Sequence, residues 1–271
     1  MNISQIRAIA GKEFHDRIRS RWVLSVTLVF AAFTLAILYF GAAAQGAVGY
    51  QGIQPLIASL VSLTIYLLPL IALILGFDTL VGERERGTLN LLLSYPINRV
   101  ELLLGKYLGL ALALTCATLA GFGAGGIVIL VRAPAFDWYQ YAGFVISAVL
   151  LGWVFLSLAV SASAFCSSRA SASGVAIAIW FFFVLVYDLL LLGALVLTGG
   201  AALGSMFPIL LMLNPADVFR ILNIFGPEDL HTMFGLLSVF PAQFAEPLFL
   251  GPVMLAWIVA PLGFAAWRFN R

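Results

Sequence analysis

The sequence predicts an all-α integral membrane protein, on the grounds of its composition and the length of its apolar runs. Of the 271 residues, 63% are hydrophobic and 10% are charged, and the mean hydropathy is +1.08. A soluble domain is about 45–50% apolar and about 25% charged, so a soluble fold of this size would leave much apolar surface in water. The apolar runs are longer than barrel strands of about ten residues. They suit helices, whose backbones satisfy their own hydrogen bonds in lipid.

Six apolar runs are long enough to cross a hydrocarbon core of roughly 30 Å at about 1.5 Å of helix rise per residue. They occupy residues 22–44, 54–80, 102–131, 141–165, 172–197 and 248–267. The third run is the longest, so we expect it to tilt or to break near its glycines. The chain is therefore predicted to form one six-span transmembrane domain over residues 1–271.

Residues 1–21 precede the first span and predict an amphipathic helix on the membrane surface. Its apolar residues recur every three or four positions, at Ile3, Ile6, Ala10, Phe14 and Ile18. The basic residues elsewhere on this helix are Arg7, Lys12 and Arg17. Membrane lipid is the expected partner, because the apolar stripe enters the interface while the cations face anionic headgroups.

The basic residues predict the orientation of the spans. Twelve of the fourteen lie in segments that a six-span topology places on one side: Arg7, Lys12, Arg17, Arg19, Arg21, Arg84, Arg86, Arg99, Lys106, Arg169, Arg268 and Arg271. Arg132 and Arg220 fall on the other side. By the positive-inside rule, both termini are expected in the cytoplasm.

The loop 82–101 concentrates charge in a chain that has little of it, and it is predicted to face the cytoplasm. We expect Gly87 to end a turn and Thr88 to cap a short helix. Leu89, Leu92 and Leu93 would form an apolar knob on that helix. Such a helix could seat in a cleft on a soluble partner, whereas the alternative is an ordinary solvated loop.

The segment 199–247 is the large feature predicted on the outer, periplasmic side. Its two apolar pieces, 206–213 and 233–240, are too short to cross, so they predict short helices at or dipping into the outer interface. Asn214 and Pro215 can start a further helix with Asp217 in its first turn.

Asp188 is the clearest polar residue inside a predicted span. An ionised carboxylate near the middle of the bilayer costs about 2.5–3.5 kcal/mol, so it needs a partner, a proton or water. It is either a proton or cation site, or a protonated or paired residue that fixes helix packing. Apart from Lys106 at the cytoplasmic edge of the third run, the predicted spans hold no lysine, arginine or histidine that would extend a proton relay, which favours the packing role.

The sequence predicts no catalytic residue, no metal site and no cofactor held by this chain. It lacks the phosphate-binding P-loop pattern and the HExxH, CxxC and GxSxG patterns, and nothing suggests nucleic acid binding. The outer segment holds thioether and imidazole groups that suit Cu(I), at Met206, Met212, His231 and Met233. Methionines among leucines more often fill gaps in packing, so direct metal binding is not the expectation.

The stretch "GERERGTLNLLLSYPINRVELLLGK" resembles the signature of type-2 ABC exporter permeases, and the topology and the N-terminal helix resemble that family too. The resemblance implies that loop 82–101 contains a coupling helix docked on a separate cytoplasmic ATPase dimer, which holds ATP and Mg²⁺. It also implies pairing with a second copy of this chain. The coupling residues would be Glu83, Arg84, Glu85, Arg86, Gly87, Thr88 and Leu89. The arginines interleaved among the acids depart from the family pattern.

Three further segments, "LLGWVFLSLAV", "WFFFVLVYDLLLL" and "LNPADVFRILNIFG", resemble permeases that support copper-site assembly in nitrous-oxide reductase of denitrifying bacteria. This resemblance implies a periplasmic β-helix accessory protein as a partner. The platform for it would include Asn214, Pro215, Asp217 and Arg220. An exporter of drugs, lipids or polysaccharides and a membrane scaffold without ATP coupling remain alternatives.

Overall fold

The computed structural model describes residues 2–40, 52–132, 137–197, 206–224 and 247–270, and no strand occurs among them. The helices are α1 (Ile3–Arg19), α2 (Trp22–Phe40), α3 (Ile53–Gly76), α4 (Val81–Glu85), α5 (Thr88–Leu93), α6 (Arg99–Arg132), α7 (Trp138–Phe165), α8 (Arg169–Phe181), a π-helix (Phe182–Val186), α9 (Tyr187–Leu197), α10 (Phe207–Met212), α11 (Pro215–Ile224) and α12 (Pro247–Asn270).

Among the residues that the structure describes, six helical stretches are long and apolar enough to cross a membrane, which confirms the predicted fold class. Four of them are the single helices α2, α6, α7 and α12. The other two are α3 continued through α4, and the stretch from α8 through the π-helix to α9. The third span is one continuous helix and does not break at its glycines.

The core of the bundle lies around α7, which packs against α3, α6, α11 and α12. Aromatic rings join the neighbouring spans. The ring centroids of Phe30 and Phe122 are 4.8 Å apart, and those of Phe122 and Phe144 are 5.0 Å apart. All three side chains are fully buried. Large, rigid rings of this kind bury much apolar area in few contacts, so they hold α2, α6 and α7 together.

The glycines of α6 are the points at which two other helices press against it. A Cβ atom at Gly121 would lie 2.5 Å from the Cβ of Phe30 in α2. A Cβ atom at Gly109 would lie 2.6 Å from the carbonyl oxygen of Ala10 in α1. Small residues at four-residue spacing let helix backbones approach closely. The glycine pairs of this helix therefore serve packing within one chain.

The predicted N-terminal helix is confirmed as α1, and it lies along α6. Its apolar stripe is divided between two surroundings. Ile6 and Ala10 are buried against α6, whereas Ile3 and Ile18 are exposed. The exposed residues remain available to the membrane interface.

Both ends of the chain meet at one end of the bundle. The amide of Asn2 donates to Glu101 at the start of α6 over 2.5 Å, and the guanidinium of Arg99 donates to the carbonyl of Phe269 in α12 over 2.8 Å. We call this the charged end. It comprises α1, residues 78–106, residues 165–169 and the last turn of α12, and the opposite end is the far end.

Candidate functional site

The predicted short helix within loop 82–101 is α5, at the charged end. Gly87 precedes it with a φ angle of 73°, a left-handed conformation that favours glycine. Gly87 also occupies the N-cap position, and no side chain caps the helix. The prediction that Thr88 caps it is therefore wrong. The hydroxyl of Thr88 donates instead to the carboxylate of Glu83.

The apolar face of α5 turns towards the bundle. Leu89 is 9% exposed, and Leu92 and Leu93 pack partly buried against the core. The three leucines lie on one side of α5, as the predicted apolar knob requires, but this side packs against the bundle and does not face a partner, because an amphipathic helix across the end of an apolar bundle buries its leucines there. The large hydrophobic side chains exposed in this region are Leu91, 65% exposed, and Tyr95, 61% exposed.

A buried lysine joins α1, α4 and α6. The Lys106 ammonium lies 2.5 Å from Oε1 of Glu13 in α1 and 3.1 Å from Oε1 of Glu83 in α4. The Lys106 side chain is 5% exposed, and the two glutamate side chains are 11% and 15% exposed. Charges so withdrawn from water are stable only when paired, so the three side chains hold each other in place.

The next two residues of the loop contact two other helices. The Arg84 guanidinium donates to the carbonyl of Cys166, which ends α7, over 2.9 Å. The Glu85 carboxylate accepts from the amide of Arg169, which begins α8, over 2.7 Å. Arg169 also pairs with Asp78, with 2.7 Å between Nε and Oδ1. The alternating charges of "ERER" thus tie the loop to several helices, and Arg86 extends outward at 53% side-chain exposure.

The return from α5 to α6 is attached to α1. Glu101 accepts from the amides of Asn2 and Asn98, at 2.5 and 2.9 Å. The side-chain amide of Gln5 donates to the carbonyl of Pro96 over 2.8 Å. The return limb of the charged loop therefore contacts the N-terminal helix directly, whereas the α4 limb is linked to it through Lys106.

The predicted lipid-facing cations of α1 lie mostly outside these contacts. Arg7 and Lys12 are exposed, and Arg17 is half-buried on the side of the helix nearer to α6. Their placement leaves a basic surface on the outer side of α1.

At the far end, α11 is inserted into the bundle and does not form a surface platform. Asn214, Pro215 and Asp217 are buried, and Arg220 is half-buried. That part of the platform prediction is corrected by the contacts of α11 with α3 and α7. The apolar residues of α11 pack into the core, and the polar residues on the same short helix are therefore buried with them.

The polar residues around the start of α11 are held by the fifth span and by one another. Arg220 pairs with Asp188 over 3.1 Å and with Asp217 over 2.5 Å. The Asn214 side-chain amide donates to the carbonyl of Phe183 in the π-helix over 3.0 Å and to Asp217 over 2.9 Å. Asp188 is thus paired, which supports the packing hypothesis for that residue.

The predicted helix 233–240, His231 and Met233 lie outside the described residues. Met206 is exposed and Met212 is partly buried. Within the part of the chain that the structure describes, no three histidine, cysteine or acidic side chains are arranged to hold a metal ion.

Sequence reasoning missed the roles of Glu13, Lys106 and Arg169, because it counted the two basic residues only for orientation. A signal was present for Lys106 and Glu13. Lys106 is an ionisable residue at the edge of an apolar run, and Glu13 is an acid in a basic helix. Ionisable residues that close to a span need partners, which is a reason to look for a pair.

A family model described as "ABC-2 family transporter protein" matches residues 7–271. The chain is also similar to two curated proteins, each described as "Probable ABC transporter permease protein NosY". The one from Stutzerimonas stutzeri is 42% identical over 273 residues, with 99% of each chain covered. The one from Pseudomonas aeruginosa is 48% identical over 269 residues, with 97% of each chain covered.

Proposed function

The chain belongs to the ABC-2 transporter family as a multi-pass membrane permease, and we propose that its charged end receives the work of a separate cytoplasmic ATPase dimer. ATP and Mg²⁺ are held by that partner. The observation that carries the proposal is the attachment of one short loop to α1, α6, α7 and α8 through an ion pair and hydrogen bonds. A force applied to such a loop is passed to the whole bundle.

The predicted coupling residues divide into two roles in this proposal. Glu83, Thr88 and Leu89 face inward and hold the loop on the bundle. Arg84 and Glu85 hold the ends of α7 and α8, and Gly87 provides the turn before α5. The surface offered to the ATPase is then formed by Arg86, Leu91 and Tyr95, which are exposed.

The proposed orientation puts the charged end and both termini in the cytoplasm of a bacterium. The distribution of arginine and lysine supports this, because positive charge is retained on the cytoplasmic side. The basic surface of α1 then faces the anionic headgroups of the inner leaflet.

We also propose pairing with a second copy, since one ATPase dimer offers two equivalent docking sites. Of the most apolar 18 residues of the fifth span, only 17% are buried within the chain, and the corresponding share for the first span is 22%. These faces are available to lipid or to the second copy.

The proposed process is copper-site assembly of nitrous-oxide reductase, with a periplasmic β-helix protein as a further partner. The names of the two relatives and the three resembling segments support it. Because α11 is buried, the platform for that partner would consist of other parts of segment 199–247. Export of a drug, lipid or polysaccharide and an uncoupled scaffold are the competing functions.

Docking is tested by substituting the exposed face of α5. We expect Leu91→Glu with Tyr95→Glu to abolish co-purification of the ATPase while the permease still folds, because both side chains point away from the bundle. His15→Glu places the same charge on an exposed position of α1 and serves as the control. Undiminished co-purification of the double variant would contradict the docking proposal.

The process is tested by deleting the gene and measuring copper in the purified periplasmic reductase. Loss of reductase copper, restored by the wild-type gene but not by the docking variant, is the expected result. A fully loaded reductase in the deletion strain would favour the exporter, and equal rescue by the docking variant would favour the uncoupled scaffold.

A further inference from the structure

We propose that Lys106 is a positioning residue that makes α1 and the charged loop move together as one rigid unit, which we call the lever. This inference rests on the proposed function, because the lever matters only if an ATPase pushes on the loop. Its structural basis is the Lys106 ammonium between two carboxylates that are 70 positions apart in the chain, Glu13 and Glu83.

The single buried charge of Lys106 contacts carboxylates of two different helices, Glu13 of α1 and Glu83 of α4. Glu83 completes its own hydrogen bonds with the Thr88 hydroxyl, so the loop helix α5 joins the same network. Moving the loop without α1 would separate Lys106 from one of its two carboxylates. A poorly hydrated ammonium that loses a partner is strongly disfavoured. Helices α1, α4 and α6 therefore keep their relative positions when one of them is displaced.

The backbone of α6 reinforces this bridge at the same place. Gly105 and Gly109 lie on either side of Lys106, and both contact α1. A Cβ atom at Gly105 would lie 2.7 Å from the Cβ of Ile9. The two glycines let α1 approach closely enough for Glu13 to reach the ammonium. The close approach and the ion pair thus depend on each other.

Displacement of the loop would then reach the membrane surface through α1. The helix carries Arg7 and Lys12 on its exposed side, and these are the cations proposed to contact headgroups. In this arrangement the nucleotide cycle of the partner tilts α1 at the interface as well as the spans. Movement of the loop would not tilt α1 if the ion pairs of Lys106 did not join the two.

The test uses the permease–ATPase complex in lipid nanodiscs and measures ATP turnover, the KM for ATP and the amount of ATPase bound. The variants are Lys106→Met, Lys106→Arg, Glu13→Gln and the double variant Lys106→Met with Glu13→Gln. We expect Lys106→Met and Glu13→Gln to retain bound ATPase and KM, but to lower turnover by about fivefold or more. The double variant should be no slower than Lys106→Met, and Lys106→Arg should restore most of the turnover.

The matched control is Arg19→Met, which removes an exposed positive charge from α1 without touching the bridge. Wild-type turnover in Lys106→Met would overturn the proposal. So would wild-type turnover in Glu13→Gln, because the lysine would then serve the loop alone. Additive losses in the double variant would also overturn it, since residues of one network do not act independently.

A second measurement needs no ATPase and separates this inference from the docking proposal. In the permease alone, Glu83→Gln should speed hydrogen exchange of the α1 amides, because the loop and α1 are joined through Lys106. An unchanged rate of hydrogen exchange in α1 would overturn the proposal that Lys106 joins α1 to the loop. If exchange rises but the exposed α5 variant still binds ATPase normally, the lever stands and the docking proposal fails.

Discussion

At the scale of single residues, the alternating charges of "ERER" follow from the geometry of a helix. Successive residues of a helix point about 100° apart, so adjacent side chains cannot share one neighbour. Glu83 meets Lys106, Arg84 meets the end of α7, and Glu85 meets the start of α8. Of the two interleaved arginines that depart from the family pattern, Arg84 therefore has a structural use. Arg84 satisfies a carbonyl at a helix C-terminus, where cations are favoured.

Replacing Arg84 tests this at the same scale. We expect Arg84→Ala to lower the free energy of unfolding by about 1–2 kcal/mol, because the Cys166 carbonyl loses a charged donor. Arg86→Ala is the control, and its exposed pair with Glu83 at 3.7 Å should contribute less than about 1 kcal/mol. Thermal unfolding of both variants in detergent measures the difference. Equal effects would show that the bond to α7 has no special role.

At the scale of elements, close helix contact depends on which glycine of α6 is considered. Gly109 is pressed against Ala10 and Glu13 of α1, whereas a Cβ at Gly123 would meet nothing within 4 Å. The same residue type in the same helix thus has two different surroundings. The spacing of glycines in sequence does not distinguish them, because it does not say which face a neighbour covers.

We expect Gly109→Ala to destabilise the seating of α1 by about 1–3 kcal/mol, because the added methyl group meets backbone atoms that cannot move aside. Gly123→Ala is the matched control and should be neutral or stabilising by up to about 1 kcal/mol, since alanine favours helix. Limited proteolysis within residues 2–19 measures the release of α1. Equal protection in the two variants would contradict the proposed contact.

The short helix α11 at the far end shows another limit of prediction from sequence at this scale. The start of α11 at Asn214 and Pro215 is predictable from local turn chemistry. Its insertion into the bundle is not, because it depends on Asp188 and the Phe183 carbonyl being available in a different span. The π-helix beside them is a local irregularity of the kind often found at functional sites.

At the scale of the whole molecule, the contacts bring both termini and the charged loop to one end. This agrees with an even number of spans. The side of the membrane on which this end lies remains a prediction from charge.

We expect a single cysteine at Leu91 to react with a membrane-impermeant maleimide only after the inner membrane is permeabilised. The native cysteines, Cys116 and Cys166, are first replaced by serine. A cysteine at Tyr139, 89% exposed at the start of α7 at the far end, is the control and should react in cells whose outer membrane alone is permeable. Labelling at Leu91 in those cells would place the charged end in the periplasm and would remove the coupling proposal.

The sequence by itself determined the fold class, the six spans, the N-terminal helix and the short helix after Gly87. These follow from local quantities, namely the length of apolar runs, the residues at helix ends and the distribution of basic residues. Only the tertiary structure decided which charge meets which and which face of α5 is exposed, as well as the burial of α11. Those outcomes depend on contacts such as Lys106 with Glu13, 93 positions apart, and a pattern along the chain carries no information about the distance between such residues in space.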